Sequence, residues 1–281
     1  MIIKENEFLS KFTTVKVGGI AKKIYYPESI KDLSKLYEEK KLDYILGAGS
    51  NLLINDNKIF ESVVHTEKLN QEIIDKGDGI FYVGCSVRLQ QMINFVNNKN
   101  YGGLEKLYAI PGFVGGSVVM NAGLGKKSKL NISDFIEYVE VFKDGKVIIL
   151  NKQDCNFNYR TSIFKNSNMV IVGVCFKFNK IDKNRSEMIK KERIEFIKNV
   201  QDHSGSNFGS LYYSCNRLAM EILKYTHFGY KKGFSYSRKK YNWIINKGNG
   251  TFKQAMKLIQ IGNLLNKIFF SHAELEVIIW E

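Results

Sequence analysis

The feature of this sequence that most constrains its fold is a pair of glycine-rich segments, each preceded by apolar residues. The first runs from Gly47 to Asn51 after the apolar stretch 44–46, and the second runs from Ile110 to Gly123. Glycine permits positive φ, so consecutive main-chain N–H groups can converge on a phosphate and a ligand can approach the backbone closely. Either segment alone would be a tight turn or a helix-packing face. Together they predict a bound dinucleotide.

The rest of the first two thirds of the chain alternates between short strands and helices. Ser29 precedes an apolar helical pattern and is followed three residues later by Asp32, which predicts a capped helix. Asp78-Gly79 and Asp144-Gly145 each separate two apolar runs, which predicts two β-hairpin turns. The run 169–178 is apolar on both faces, so we expect a long central strand.

The pattern changes after residue 180. Residues 181–201 are highly charged and carry apolar residues at helical spacing, which predicts a connecting helix. A second helix is predicted over 252–265 and a closing strand over 275–280. We therefore expect an α+β protein with a first domain over 1–185 and a smaller domain over 186–281, whose last strand returns toward the ligand site.

Charge and cysteine usage narrow the classes of partner. The chain has 42 Lys and Arg against 28 Asp and Glu, a net charge of +14, which favours an anionic partner such as nucleic acid, a membrane surface or a phosphorylated metabolite. The cysteines and histidines are dispersed, so we predict no metal site. Residues 1–10 do not resemble a secretory signal, and no apolar run approaches the ~20 residues that span a bilayer. We expect a soluble, cytoplasmic protein that does not bind membranes.

Five motifs, taken together, resemble those of the UDP-N-acetylenolpyruvoylglucosamine reductase family. They are the stretches Thr13–Gly19, Gly47–Leu53, Gly103–Glu105, Ile110–Gly123 and Tyr159–Lys165. The resemblance covers essentially the whole chain, strongly to about residue 180 and weakly beyond. It implies an FAD-binding domain of the vanillyl-alcohol-oxidase (PCMH) type, followed by a smaller α+β substrate-binding domain.

The resemblance also implies the chemistry. Members of the family use NADPH to reduce FAD and then reduce the enolpyruvyl ether of a UDP-sugar, a step of peptidoglycan precursor synthesis. The expected cofactor-binding residues are Gly47, Ala48, Gly49, Ser50, Asn51, Leu52, Pro111, Gly112, Gly115, Gly116, Asn121, Ala122 and Gly123. We expect a monomer that takes a UDP-sugar enolpyruvate and NADPH and does not bind nucleic acid.

Three catalytic residues follow from matching the family motifs. Arg160 matches the arginine that pairs with the substrate carboxylate, because a guanidinium donates paired N–H bonds to a carboxylate. Ser210 matches the proton donor, with Ser206 as its rival in the same Gly/Ser-rich stretch. Glu276 matches the glutamate that stabilises the intermediate, with Glu274 as the alternative.

The substrate-binding residues are expected to be Tyr159, Ser214 and Lys240, and here the sequence departs from the family. Tyr213 and Ser214 replace a Lys-Asn pair, and Lys240 replaces a histidine. These departures keep open a paralogue that acts on another nucleotide sugar. The sequence also leaves open a flavin oxidase that uses oxygen, and a non-catalytic protein that binds flavin or single-stranded nucleic acid.

Overall fold

The computed structural model describes residues 1–125 and 129–281, which form two compact units. The first unit comprises residues 1–5, 23–48 and 62–197, and the second comprises 6–22, 49–61 and 198–281. The predicted boundary after residue 185 falls inside a helix, whereas the units divide after residue 197. Two N-terminal segments belong to the second unit because they hydrogen-bond with C-terminal residues, as in the bond from the Asn246 side chain to the Val15 carbonyl (2.9 Å).

The described residues form short strands joined by helices and turns. The strands are β1 (Ile2–Phe8), β2 (Ile20–Tyr26), β3 (Ile45–Leu46), β4 (Leu52–Ile54), β5 (Ile59–His65), β6 (Ile73–Gly77), β7 (Ile80–Gly84), β8 (Tyr101–Gly102), β9 (Ile136–Lys143), β10 (Lys146–Asn151), β11 (Val170–Lys177), β12 (Asn179–Lys180), β13 (Tyr212–Ser214), β14 (Phe234–Tyr236), β15 (Ile244–Asn246), β16 (Glu274–Leu275) and β17 (Ile278–Trp280). The α-helices are α1 (Ile30–Glu38), α2 (Leu89–Asn98), α3 (Val114–Val119), α4 (Lys183–Val200), α5 (Arg217–Tyr225) and α6 (Phe252–Ile268).

An antiparallel five-stranded sheet of order β10-β9-β11-β7-β6 forms the centre of the first unit. β11 is the middle strand and is buried except at Lys177, so the predicted central strand is confirmed. The two predicted hairpins are confirmed as well. Asp78 (φ 50°), Gly79 (77°), Asp144 (49°) and Gly145 (80°) all have positive φ, as the tight turns of twisted hairpins require.

The beginning of α1 confirms the predicted cap. The Ser29 hydroxyl accepts the N–H of Asp32 (3.2 Å), and the Asp32 carboxylate accepts the N–H of Glu28 (2.9 Å). The Ser29 side chain thereby satisfies an N–H group that a helix leaves unpaired at its first turn, and the Asp32 side chain binds the residue before the cap. A second sheet has four strands in the order β1-β2-β5-β3. The first unit contains all of β3 and only part of each of the other three strands.

The second unit has its own core, in which α5 and α6 pack with two-stranded sheets β13-β16, β14-β15 and β17-β4. The predicted closing strand over 275–280 is wrong in one respect, since the chain forms two strands interrupted at Glu276 and Val277. The interruption arises because the chain changes partner. The Glu276 N–H bonds to the Leu211 carbonyl (2.9 Å), and the Ile278 N–H bonds to the Asn51 carbonyl (3.0 Å).

Both predicted helices of the C-terminal region are present. The helix expected over 181–201 is α4, and the helix expected over 252–265 is α6, which continues three residues further, to Ile268. In the part of the chain that the structure describes, no helix combines the length and the apolar character that a membrane crossing needs.

Candidate functional site

The first glycine-rich segment joins β3 to β4 and has two glycines in different environments. Gly49 has a φ of +63°, and a Cβ there would lie 1.9 Å from the Phe12 carbonyl oxygen. The Thr14 N–H donates to the Gly49 carbonyl (3.1 Å), which holds the loop in this conformation. Gly47 differs, because a Cβ at that position would meet no atom within 4 Å. The fold therefore requires a glycine at 49 and leaves open space beside 47.

Asn51, at the end of this segment, contacts a predicted catalytic residue. Its side-chain amide donates to the Glu276 carbonyl (2.9 Å), and its own carbonyl accepts the Ile278 N–H (3.0 Å). Strand β17 runs parallel to β4, which follows Asn51 directly. The second unit thus places a predicted cofactor residue beside Glu276, although 225 positions separate them in the chain.

The second glycine-rich segment contains the short helix α3. The N–H groups of Val114 and Gly115 donate to the carbonyls of Val87 (2.8 Å) and Cys85 (2.9 Å), so protein carbonyls already engage them. Gly115 also packs closely on Cys85, where an added Cβ would lie 3.0 Å from the thiol-bearing carbon. Gly116 is exposed and has open space where a Cβ would stand. Gly115 therefore serves packing, and Gly116 is accessible to a ligand.

The end of the same segment is bound to Arg160. The guanidinium donates to the Gly123 carbonyl (2.7 Å) and to the Asn121 carbonyl (3.4 Å). The Asn121 side chain in turn donates to the Asn158 carbonyl (2.9 Å), and the guanidinium lies 5.2 Å from the centre of the Tyr159 ring. The first unit therefore brings Asn121, Gly123, Tyr159 and Arg160 together.

The two rival serines differ in their surroundings within the second unit. The main chain of Ser206 pairs with Asn246 through two hydrogen bonds of 3.0 and 2.8 Å, in an isolated antiparallel bridge. Ser210 is partly exposed, and its neighbour Leu211 accepts the N–H of Glu276 (2.9 Å). The residue after Ser210 therefore bonds to Glu276, which is the other predicted catalytic residue of this unit.

The substrate-side residues lie on neighbouring elements of the second unit. Ser214 pairs with Glu274 between β13 and β16, and the Tyr213 hydroxyl donates to the Glu274 carboxylate. Glu274, the alternative to Glu276, is thus engaged by the tyrosine that replaces the family's lysine. The Lys240 N–H donates to the Ser237 hydroxyl oxygen (2.9 Å), and its ammonium group lies 5.9 Å from the Trp243 ring centre.

Two residues contribute to this arrangement although the sequence analysis predicted no role for either. Thr14 supports the first glycine-rich segment, and its hydroxyl also donates to the Asn207 carbonyl (2.8 Å). Asp202 is buried, which opposes ionisation, but hydrogen bonds from Ser204 and Ser237 hold the pKa of its carboxyl below the ordinary value. Only the motif at 13–19 gave a local signal, for Thr14. Nothing in the sequence near residue 202 indicates its partners.

The chain offers groups suited to a flavin dinucleotide. Gly47 and Gly116 each expose main chain where a side chain would otherwise stand, as close approach of a phosphate requires. Among residues 1–125 and 129–281, no group of three His, Cys, Asp or Glu side chains is arranged to hold a metal ion.

Comparison with known proteins defines the class first. Residues 21–151, which include both glycine-rich segments, match the family described as FAD binding domain. Over 100% of both chains, the fold is similar to the crystal structure of UDP-N-acetylenolpyruvylglucosamine reductase from Thermus caldophilus, with a TM-score of 0.83 at 24% identity. The α+β fold with an FAD-binding domain, predicted from the motifs, is confirmed.

Curated relatives define the family. The chain is 34% identical to UDP-N-acetylenolpyruvoylglucosamine reductase of Thermotoga sp. (strain RQ2), over 98% of this chain and 92% of the relative. It is 32% identical to the protein of that name from Fusobacterium nucleatum, over 93% of this chain and 92% of the relative. The chain therefore belongs to the UDP-N-acetylenolpyruvoylglucosamine reductase family, whose members are FAD-containing oxidoreductases. This confirms the resemblance and the prediction of an oxidoreductase.

Proposed function

We propose that this chain reduces the enolpyruvyl group of UDP-N-acetylglucosamine enolpyruvate to give UDP-N-acetylmuramate, with NADPH as the electron source. FAD, when bound, would supply the redox chemistry that carries a hydride from NADPH to the carbon–carbon double bond. One proton completes the reduction of that bond. The family membership and the residues described below support this proposal.

Each proposed catalytic residue has a distinct task. The Arg160 guanidinium pairs with the substrate carboxylate and stabilises the negative charge that develops beside it. The Glu276 side chain helps to hold the charged intermediate. The Ser210 hydroxyl delivers the proton to the carbon that carries the developing charge. A serine is a weak acid, so it can act here only because that carbon is strongly basic.

The observation that carries the proposal is the position of Glu276. Its carbonyl accepts the side-chain amide of Asn51, and its N–H donates to Leu211, the residue after Ser210. Glu276 therefore bonds both to the first glycine-rich segment and to the residue that follows Ser210, although these three parts of the chain are far apart in the sequence. The main chain of Ser206 pairs with Asn246 instead.

The test separates the two half-reactions. The purified protein should show the absorbance of an oxidised flavin, lose it on anaerobic addition of NADPH, and regain it with one equivalent of the enolpyruvyl UDP-sugar. A colourless protein that takes up no FAD would contradict the proposal. So would a reduced flavin that the UDP-sugar does not reoxidise.

The proton donor can be tested with matched serine variants. Ser210→Ala should keep the rate of flavin reduction by NADPH and lower the rate of reoxidation by about 10²–10⁴-fold, the usual contribution of a positioned general acid. Ser206→Ala should leave both rates near those of the unsubstituted protein. The reverse pattern would make Ser206 the donor.

A second candidate is the same chemistry on a different nucleotide sugar. The hydrogen bond between Tyr213 and Glu274 favours it, since a neutral phenol paired with a carboxylate replaces a family lysine at the substrate side. Stoichiometric reoxidation of the reduced flavin by another enolpyruvyl or unsaturated nucleotide sugar, without reoxidation by the muramic precursor, would establish this second function.

The cellular setting follows from the substrates. NADPH and nucleotide sugars are metabolites of the cytoplasm, and the cysteines, all free thiols in the structure, fit a reducing compartment. We therefore propose a cytoplasmic enzyme of peptidoglycan precursor synthesis. Deletion of the gene should be lethal or should weaken the cell wall, and accumulation of the enolpyruvyl UDP-sugar in depleted cells would measure the block directly.

A further inference from the structure

Asn242 forms an unusual set of hydrogen bonds with the two residues that follow Ser210. Its side-chain oxygen accepts the Tyr212 N–H (2.9 Å), and its side-chain amide donates to the Tyr212 carbonyl (2.7 Å). Its own carbonyl accepts the Leu211 N–H (2.8 Å). A primary amide can bind both the N–H and the C=O of one residue because it has an acceptor and a donor group side by side.

The remaining main-chain group of this dipeptide binds Glu276. The Leu211 carbonyl accepts the Glu276 N–H (2.9 Å), so Asn242 and Glu276 together engage all four N–H and C=O groups of residues 211 and 212. Leu211 and Tyr212 are buried, at 0% and 2% exposure. Buried main-chain groups need such partners, so the path of the chain after Ser210 depends on both residues.

The residues that precede Asn242 in the chain are joined by a second set of bonds. The Ser237 hydroxyl donates to the buried Asp202 carboxylate (2.5 Å) and accepts the N–H groups of Lys239 (3.1 Å) and Lys240 (2.9 Å). Asn242 has a φ of +63°, a left-handed conformation that asparagine tolerates better than most residues. Both the side chain and the backbone conformation at this position therefore favour asparagine.

We propose that Asn242 is a positioning residue that sets the direction of the Ser210 hydroxyl relative to Glu276. The proposal rests on the function proposed above, in which Ser210 gives the proton and Glu276 holds the intermediate. Asn242 acts only through the Leu211–Tyr212 peptide groups. Proton delivery depends on sub-ångström placement of the donor, so a small shift of this dipeptide should slow that step and leave hydride uptake from NADPH unaffected.

Asn242→Asp is the sharpest test because it changes few atoms. The aspartate keeps an acceptor for the Tyr212 N–H, but it places a carboxylate oxygen against the Tyr212 carbonyl, where the native amide donates at 2.7 Å. We expect reoxidation by the enolpyruvyl UDP-sugar to slow about 10²-fold, with flavin reduction by NADPH within about twofold of the native rate. The substrate dissociation constant should stay unchanged, and the solvent isotope effect on reoxidation should rise.

Asn242→Gly provides a second variant with the same expected pattern. It keeps a residue that accepts positive φ and keeps the carbonyl that binds Leu211, but it removes the side chain. Asn266→Asp is the matched control, because Asn266 is also a buried asparagine of the second unit, with its amide donating to the Gly262 carbonyl (2.8 Å). The control should not change the ratio of the two half-reaction rates.

Three results would overturn the proposal. They are an equal loss of both half-reactions in the Asn242 variants, the same selective loss in Asn266→Asp, and native reoxidation rates in folded Asn242→Gly. Failure of the proposed function would look different. The unsubstituted protein would then not be reduced by NADPH or not be reoxidised by the UDP-sugar.

Discussion

Gly47 and Gly49 are two residues apart in the chain, and the structure gives a different reason for a glycine at each position. At Gly49 the φ is +63° and an added Cβ would lie 1.9 Å from the Phe12 carbonyl oxygen, which excludes any side chain. At Gly47 nothing in the protein would meet a Cβ within 4 Å. The structure explains the first glycine by folding alone, and we propose that a bound ligand is the reason for the second.

Alanine at these two positions should therefore give opposite results. Gly49→Ala should lower the free energy of unfolding by about 2 kcal/mol or more, since it adds backbone strain and a clash with main chain. Gly47→Ala should fold with native stability and bind FAD more weakly, because its methyl group occupies the space beside the exposed backbone. Urea unfolding and flavin titration measure the two effects. Native FAD affinity in Gly47→Ala would show that the cofactor does not approach this residue.

His65 is a buried histidine whose charge state affects stability. It is 5% exposed and stacks on Tyr26 (centroids 5.1 Å apart), and its Nδ1 accepts the Glu67 N–H (3.2 Å). Burial lowers the pKa of the imidazole from 6.5 to about 4. The folded protein therefore keeps this ring neutral at a pH at which the unfolded chain would protonate it.

The sign of the pH effect follows from this shift. Below pH 6.5 the unfolded state binds a proton that the folded state does not, so the free energy of unfolding should fall as the pH drops from 6.5 to about 4. The loss should reach about 3 kcal/mol. His65→Phe keeps an aromatic ring and should flatten this part of the stability profile, whereas His203→Gln, at an exposed position, should not. Parallel profiles for His65→Phe and the native protein would refute this account.

At the scale of elements, the local signals in the sequence were sufficient wherever a helix or hairpin is made by neighbours in the chain. The Ser29 cap and the two Asp-Gly turns formed as predicted. The predicted closing strand failed at Glu276 because a distant residue, Leu211, captures its N–H. No pattern within residues 275–280 encodes that partner.

The short strand β17 offers an element-scale prediction. Ile278→Pro removes the N–H that donates to the Asn51 carbonyl (3.0 Å) and leaves that carbonyl without this bond. We expect a loss of about 1–3 kcal/mol in the free energy of unfolding and weaker FAD binding through Asn51. Ile278→Val, which keeps the N–H, is the control. Urea unfolding and flavin fluorescence titration report the two effects, and unchanged FAD affinity in a destabilised proline variant would separate β17 from the cofactor site.

At the scale of the whole molecule, the net charge of +14 fits an enzyme whose proposed cofactor and substrates carry several phosphates. Charge alone left nucleic acid and membranes open as partners. The family membership favours the phosphorylated metabolites over both. A net charge does not show where a ligand binds, whereas the five motifs identify particular segments of the chain.

Cofactor removal should be visible in global stability. A ligand that binds only the folded chain adds about 2.7 kcal/mol at a concentration 100 times its dissociation constant. FAD should therefore raise the thermal midpoint of the deflavinated protein. Riboflavin, which lacks both phosphates, should raise it much less if main-chain amides near Gly47 and Gly116 bind the pyrophosphate. Equal shifts with the two ligands would argue against that binding mode. Light scattering of the same samples tests the predicted monomer.

The sequence by itself determined the class of fold, the family and the local elements, because motifs, caps and tight turns depend on residues that are near one another in the chain. The sequence favoured Ser210 over Ser206 as the proton donor, although both serines follow a glycine in the same stretch. Only the tertiary structure decided that Leu211 meets Glu276, that Asn51 supports the same glutamate, and that Asn242 binds the peptide after Ser210. Each of these bonds has a main-chain group on at least one side, and every residue has such groups, so the pairing depends on how distant segments pack. No side-chain pattern can therefore predict them.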